Sequence, residues 1–462
     1  MRANTQRFCA LLVLLFLFVA GWEPTYAQTA AAQERPSAQA STGATVEHQI
    51  TPQEAQALLL SVDSILKFDS ATTSLPQRRE VKRKLVSRDE VQKFVRSRLE
   101  DDEDAKRLRR SEAVLKKFGV LPGDFNLQSF LVDLLREQVA GYYDEKTRTV
   151  NLLDWLPAAT QQPVMAHELT HALQDQNFGL EKWIREVEKE KKDPQQEVDA
   201  EEAAAARHAV VEGQAMAVMI DFVLAPTGGS LVNSPNIADA ITHGMAEGGD
   251  SPVFQRAPLY LKKVLVFPYT YGLDFIRALL VKDGKDRAFA GVFKNPPLNT
   301  RQVMEPATYL AGEKLPPLPI PDFQKLLGKD YERYDVGSVG EFDVAVITEQ
   351  FAGVETAKKI WPQWRGGYYY AARKKGEPGA RLGLVYVSRW GTAESAQEFQ
   401  RVYEDSIRKR YPGAELQGGD GGWHTREGIV RLARDGETVI VLESFDDATM
   451  IRLRQAIVSA GR

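Results

Sequence analysis

The stretch MAHELTHALQDQ (residues 165–176) decides how the chain is read. It contains H-E-x-x-H, and on an α-helix residues four apart share a face. His167 and His171 therefore project side by side, as two imidazoles on one cation must. Glu168 sits one position round, within reach of a water in the cation's open position. The chain has only six histidines in 462 residues, so a chance match arises on the order of once in a few hundred such chains. Pro163 suits a first helical turn, and Val164, Leu169, Ala172 and Leu173 supply an apolar face. The bland alternative is a buried helix whose histidines only satisfy hydrogen bonds. With one Zn²⁺ per chain, the metal would lower the pKa of a bound water toward neutrality. Glu168 would accept its proton as the hydroxide attacks a carbonyl.

A catalytic zinc needs a third protein ligand. One arrangement supplies it in the same motif, as H-E-x-x-H-x-x-G-x-x-H, but ALQDQNF follows His171 and has neither the Gly nor the His. The other draws a glutamate from a second helix. AVVEGQAMAV offers Glu212 among Val210, Val211 and Ala215, where an unpaired carboxylate would be costly. Gly213 beside it would let two helices approach closely. Glu201, Glu202 and His208 are rival ligands. His208, one turn before Glu212, could instead support a ligand, and Asp199 could orient a ligand histidine.

HELTHALQDQ followed by DAEEAAAARHAVVEGQA resembles the gluzincin class of metallopeptidases. More narrowly, it resembles a group of exported bacterial proteins with an A-G-Y-Y-D hairpin before the H-E-x-x-H helix and a V-E-G-x-A helix after it. The resemblance covers residues 134–309, including PYTYGLDFIRALL and NPPLNTRQVMEPATYL. It implies a peptidase with zinc on His167, His171 and Glu212 and with Glu168 as general base. One segment departs: where that group tends to read S-T-E-Q-[IV]-L-H-P, Arg301 and Glu305 stand in place of the Glu and the His. No substrate-binding role is therefore carried over to it.

AGYYDEKTRTVNLLDW reads as a β-hairpin, with Tyr142, Tyr143 and residues 150–153 flanking the polar turn DEKTRT. Beside a zincin-like helix such an edge strand would pair with an extended substrate. Tyr142 or Tyr143 would then line the cleft, or both would simply pack the hairpin. The oxyanion formed during attack wants a Tyr, His or Arg nearby. Tyr269, Tyr271, His243 and Arg301 are candidates. Tyr271 is preferred because Gly272 marks a helix start from which a side chain can face the cleft. His48 and His424 are expected at the surface.

At 462 residues, with 43% hydrophobic and 26% charged residues, the chain has the composition of a globular protein of two or three domains. A net charge of −4 gives no pull toward nucleic acid. Arg2 and Arg7 precede the apolar run FCALLVLLFLFVAGW, and Thr25 and Ala27 offer a small-residue cleavage site. Residues 1–27 thus read as a signal peptide, with membrane attachment only if it is retained. The single cysteine, Cys9, lies inside it, so the mature chain suits the bacterial periplasm or envelope without disulfides, and its metal ligands must be His, Glu or Asp.

Residues 28–50 form a flexible leader of Ala, Gln, Ser and Thr. TPQEAQALLLSVDSILKF opens a helix with a Thr cap, the basic run RKLVSRDEVQKFVRSRLEDDEDAKRLRR reads as a solvated helical face, and LEKWIREVEKEKKDPQQEVDAEE as an exposed excursion. Residues 228–250 are mobile loop by composition, and GEKLPPLPIPDF is an extended connector. The expected fold is α+β: a mainly helical zincin-like domain over 51–325 with a hairpin edge, then a separate α+β domain over 335–462 with an antiparallel sheet. The function expected is zinc-dependent hydrolysis of peptide or protein substrates. A non-catalytic binding protein on the same fold, or a zinc hydrolase of a non-peptide amide, are the alternatives. The second domain would recruit substrate or dock a partner, and nothing in the sequence sets an oligomeric state.

Overall fold

The computed structural model describes residues 49–461, except 100–101, 139–140, 189–192, 248–250, 378 and 418–421. The expected signal peptide, most of the leader and His48 lie outside the described residues. Thr51 caps α1 (Pro52–Thr73): its hydroxyl accepts from the Glu54 N–H, and the Glu54 carboxylate accepts from the Thr51 N–H. There follow β1 (Lys82–Val86), α2 (Arg88–Leu99), α3 (Asp102–Phe118) and α4 (Leu127–Gln138). The basic run is thus helical only from Arg88. Its first residues form β1, whose exposure alternates until Val86 is buried.

The expected hairpin is β2 (Tyr142–Asp144) and β3 (Thr149–Leu153). β1 pairs in parallel with β3, so the sheet runs β1-β3-β2, with β2 at an edge. The HELTH segment lies on α5 (Ala158–Phe178), followed by α6 (Leu180–Arg185), α7 (Pro194–Leu224), α8 (Pro235–Glu247) and α9 (Leu259–Asp283). Two expectations fail here. The charged excursion is partly core, because Leu180, Trp183 and Ile184 are buried and the Trp183 indole donates to the Phe293 carbonyl. The supposed loop at 228–250 contains helix α8 and buries Leu231.

α7 and α9 form the spine of this half and are apolar enough to cross a membrane by length and composition. Their apolar faces are spent on the protein core, where Val210, Val218, Leu273 and Ile276 meet. They cross backbone to backbone. A Cβ built on Gly213 would overlap the Gly272 carbonyl, and one on Gly272 would overlap that of Ala209. Gly272 is therefore a mid-helix contact point and not a helix start.

A π-turn (Arg287–Gly291), α10 (Thr300–Met304), α11 (Pro306–Leu310) and α12 (Phe323–Leu327) lead to the second half. It contains β4 (Tyr331–Ser338), α13 (Glu341–Ala352), α14 (Val354–Ile360), β5 (Trp364–Lys374), β6 (Gly383–Trp390), α15 (Ala393–Arg410), β7 (Glu415–Gln417), β8 (Gly422–Thr425), β9 (Gly428–Asp435), β10 (Thr438–Glu443) and α16 (Asp447–Ala460). The strands make one antiparallel sheet, ordered β4-β5-β6-β10-β9-β8-β7. Helices cover both faces of its middle. Leu384 and Tyr386 pack with Phe399 of α15, while Val385 and Val387 pack with Leu453 of α16. That accounts for the unbroken apolar run of β6.

The architecture is α+β, but the two halves are not separate. Val114 and Phe118 of α3 join the core under the large sheet, and Phe342 and Val346 of α13 join the core around α7 and α9. The sheet also begins at Tyr331, four residues before the expected boundary.

Candidate metal centre

α5 begins earlier than Pro163 suggested, at Ala158, and the proline lies inside it. The Gln161 side chain anchors that start to the sheet: it accepts from the Leu153 N–H and donates to the Leu153 and Leu156 carbonyls. The next turns carry His167, Glu168 and His171 into the interior, where all three are buried. α7 crosses α5 and brings Glu212, wholly buried, to the same point.

His167 Nε2 lies 3.0 Å from His171 Nε2, and Glu212 Oε2 lies 3.1 Å from the first and 3.5 Å from the second. Four-coordinate zinc with bonds of about 2.0–2.1 Å separates its ligand atoms by roughly 3.3 Å. Three donors converging at that spacing fit a metal ion, and the group can hold one. The tautomer agrees as well. His171 Nδ1 lies 2.8 Å from Gln174 Oε1, an acceptor, so its proton sits there and Nε2 presents a lone pair to the shared point. Gln174 in turn donates to the Val211 carbonyl and to Gln214, and Gln214 donates to the Ala288 and Phe289 carbonyls of the π-turn. This chain of buried amides fixes His171 against α7. Sequence inspection missed both glutamines: Gln214 is a polar residue inside an apolar helical run, the same signal that marked Glu212, whereas Gln174 is followed by Asp175, Gln176 and Asn177 and carries no such signal.

The charges balance around a cation. Burial alone would raise the Glu212 pKa, but the charge of His171 and hydrogen bonds from His167 and His171 outweigh it and hold Glu212 at about 2. Burial would likewise lower His171, but the Glu212 charge and hydrogen bond lift it to about 9. The site is built for net positive charge at its centre, which a dication or a proton can supply. Glu168 is raised, first by burial, against the lowering effect of the two histidines.

The edge strand meets the motif through its backbone. The Tyr143 N–H points away from β3 and donates to Glu168 Oε2 at 2.7 Å. Neither tyrosine ring lines a cleft: Tyr142 stacks on Phe94 with centroids 4.3 Å apart, and the Tyr143 hydroxyl donates to Asp175.

Residues 329–454 match a family model described as a domain of unknown function (DUF8575). The match spans the large sheet and its helices and leaves out the metal triad. No curated protein and no solved structure matches the chain.

Of the expected site residues, His167, His171, Glu212 and Glu168 come together. Tyr271 does not join them: its ring packs on Phe267, and its charged neighbours are Glu349, Asp274 and Glu341. Tyr269 is the tyrosine beside the triad, its ring 6.2 Å from that of His167. His243 is exposed on α8. Arg301 is buried in an ion cluster with Glu305, Glu313 and Glu341. The two residues that depart from the family pattern thus pair with each other.

Of the rival ligands, His208 is buried without a hydrogen-bond partner on either ring nitrogen, and Glu201 and Glu202, like the supporting candidate Asp199, bond elsewhere. Glu201 accepts from the Ser338 N–H, Glu202 from the Thr300 N–H and hydroxyl, and Asp199 from Gln195. Glu202 yields a pH prediction. Burial, then the like charge of Asp343, lifts its pKa from the usual 4.5 to about 7. Between those values the folded state holds a proton that the unfolded chain has lost. Its contribution is complete below pH 4.5 and vanishes as pH rises through 7, a change on the order of 3 kcal/mol. Urea unfolding of metal-stripped protein at pH 4.5 and pH 7.5 should show this loss, and Glu202→Gln should remove that part of it. Identical pH dependence in both proteins would refute the assignment.

Proposed function

We propose that this chain is a zinc-dependent peptidase of the gluzincin type, exported to the bacterial envelope. The observation that carries the reading is the convergence of His167, His171 and Glu212 with Glu168 one residue from the first ligand. His167 and His171 would hold zinc through Nε2, and Glu212 through its carboxylate. When bound, zinc supplies Lewis acidity, acidifying water and polarising a carbonyl. Glu168 accepts the proton of the attacking water and passes it to the leaving amine. The carboxylate must act first as a base and then as an acid within one cycle. The Tyr143 N–H orients that carboxylate, and the edge position of β2 supports alignment of an extended peptide alongside α5. The ring of Tyr269 beside that of His167 supports Tyr269 over Tyr271 as the phenol that meets the oxyanion. The apolar run after Arg2 and Arg7 supports export.

Purified protein should carry about one zinc per chain and cleave a mixed peptide library in a chelator-sensitive way. His171→Ala should lose zinc and activity together. A His171→Ala protein with stoichiometric zinc would overturn the ligand set. Full zinc occupancy without hydrolysis of any peptide would favour the non-catalytic alternative.

A further inference from the structure

A cavity of about 210 Å³ lies between α7, α9 and the start of the C-terminal half, and both Glu212 and Tyr269 line it. A single water needs only roughly 10–15 Å³ of such space, so a whole side chain fits. Apolar wall is supplied by Leu265, Phe267 and Phe342. The charged wall is mostly carboxylate: besides Glu212 it holds Glu201, Glu202, Asp335 and Asp343, and the guanidinium of Arg107. Arg110 and Arg107 both act at the Asp335–Tyr369 side. At the other side the leading charge on Glu202 is the like-charged Asp343.

These carboxylates are held by neutral donors. Asp343 accepts from the Tyr260 hydroxyl and the Gly340 N–H, both at 2.8 Å, and Glu202 accepts from Thr300. An ionised carboxylate offers about four lone-pair sites, so accepting capacity is left over. A second observation points the same way. His208 is 2% exposed, lines this cavity, and has no hydrogen-bond partner on either ring nitrogen. Buried polar groups are normally bonded. A group that carries several donors, no acceptor and a positive charge would satisfy the acids and the acceptor nitrogen of the imidazole. Ammonium and guanidinium fit that description, and their methylene stems match the apolar wall.

We propose that this cavity is the subsite for a lysine or arginine side chain of the substrate, adjoining the scissile bond, with its stem along Leu265 and Phe267 and its charged head at Glu202, Asp343 and His208. The proposal rests on the peptidase reading and names its substrate class. A norleucine residue of similar length would leave the carboxylates without a counter-charge, and an acidic residue would be repelled.

Binding can be measured apart from hydrolysis. Zinc-loaded Glu168→Gln protein is titrated calorimetrically with the amides of Nα-acetyl-lysine, Nα-acetyl-arginine and Nα-acetyl-norleucine. At least one cationic amide should bind tenfold or more tightly than the norleucine amide; equal binding, or none, overturns the subsite. With wild-type enzyme and a peptide library, lysine or arginine should be enriched at one position flanking the cleaved bond. Asp343→Asn, and Glu202→Gln as a second variant, should each reduce the lysine-over-norleucine ratio of kcat/KM at least tenfold. Cleavage without cationic preference removes the subsite and leaves the peptidase standing. Selective binding of the cationic amides without cleavage of any peptide supports the cation site and removes the peptidase.

Discussion

Glu168→Gln should lower kcat for peptide hydrolysis by about 10²–10⁴-fold, the usual contribution of a positioned general base, while zinc remains at one per chain. Glutamine keeps the volume and one carbonyl oxygen, so the Tyr143 N–H still has an acceptor and β2 stays in register. The ligands are untouched, because Glu168 projects beside the His167–His171–Glu212 group and is not one of its three members. The change therefore removes proton acceptance and little else. Metal analysis and kcat on the same sample form the measurement. Retained activity would dismiss Glu168 as the base. Loss of zinc together with activity would mean that Glu168 supports the metal and would leave its catalytic role without support.

Gly213→Ala should cost the folded protein about 3 kcal/mol and loosen zinc by at least a hundredfold. Alanine is the better helix former by up to ~1 kcal/mol, which favours the variant. The crossing of α7 and α9 acts in the opposite direction. The added Cβ falls on the Gly272 backbone carbonyl, and backbone cannot rotate aside as a side chain can. Overpacking of this kind costs about 1–3 kcal/mol and more where nothing yields. Relief requires α7 to move off α9, and Glu212 is the residue next to the overlap. A displacement that shifts Oε2 from its places 3.1 and 3.5 Å from the two imidazoles breaks the ligand geometry. Thermal unfolding and zinc retention against a chelator test this. Wild-type values in both would show that the helices have slack.

The site was largely legible in the sequence because it obeys short-range rules. H-E-x-x-H is a helix-periodicity statement, and Glu212 stood out as a carboxylate in an apolar run. The Asp435–Gly436 pair obeys the same kind of rule: a D-G turn between apolar runs joins β9 to β10. What stayed hidden depends on partners distant in the chain. β1 carries Lys82, Arg83 and Lys84, so its charges mask a strand whose identity comes from pairing with β3, 67 residues on. Tyr269 and Tyr271 differ by two positions, about 200° around a helix. Only the true continuation of α9 through Pro268 and Gly272 decides which of them faces His167. Pairing of Arg301 with Glu341 and burial of Trp183 against Phe293 are contacts that composition cannot announce.

The 31-residue helix α7 spans roughly 46 Å at 1.5 Å per residue, and its first turns and its middle serve different masters. Its first turns are gripped by the large sheet, through Glu197 with Arg333 and Glu201 with Ser338, while its middle delivers Glu212. A proteolytic nick in the proline-rich connector would leave both fragments clasped along this strut and along α3. The cut protein would migrate as one particle until denatured, with His167, His171 and Glu212 still converging.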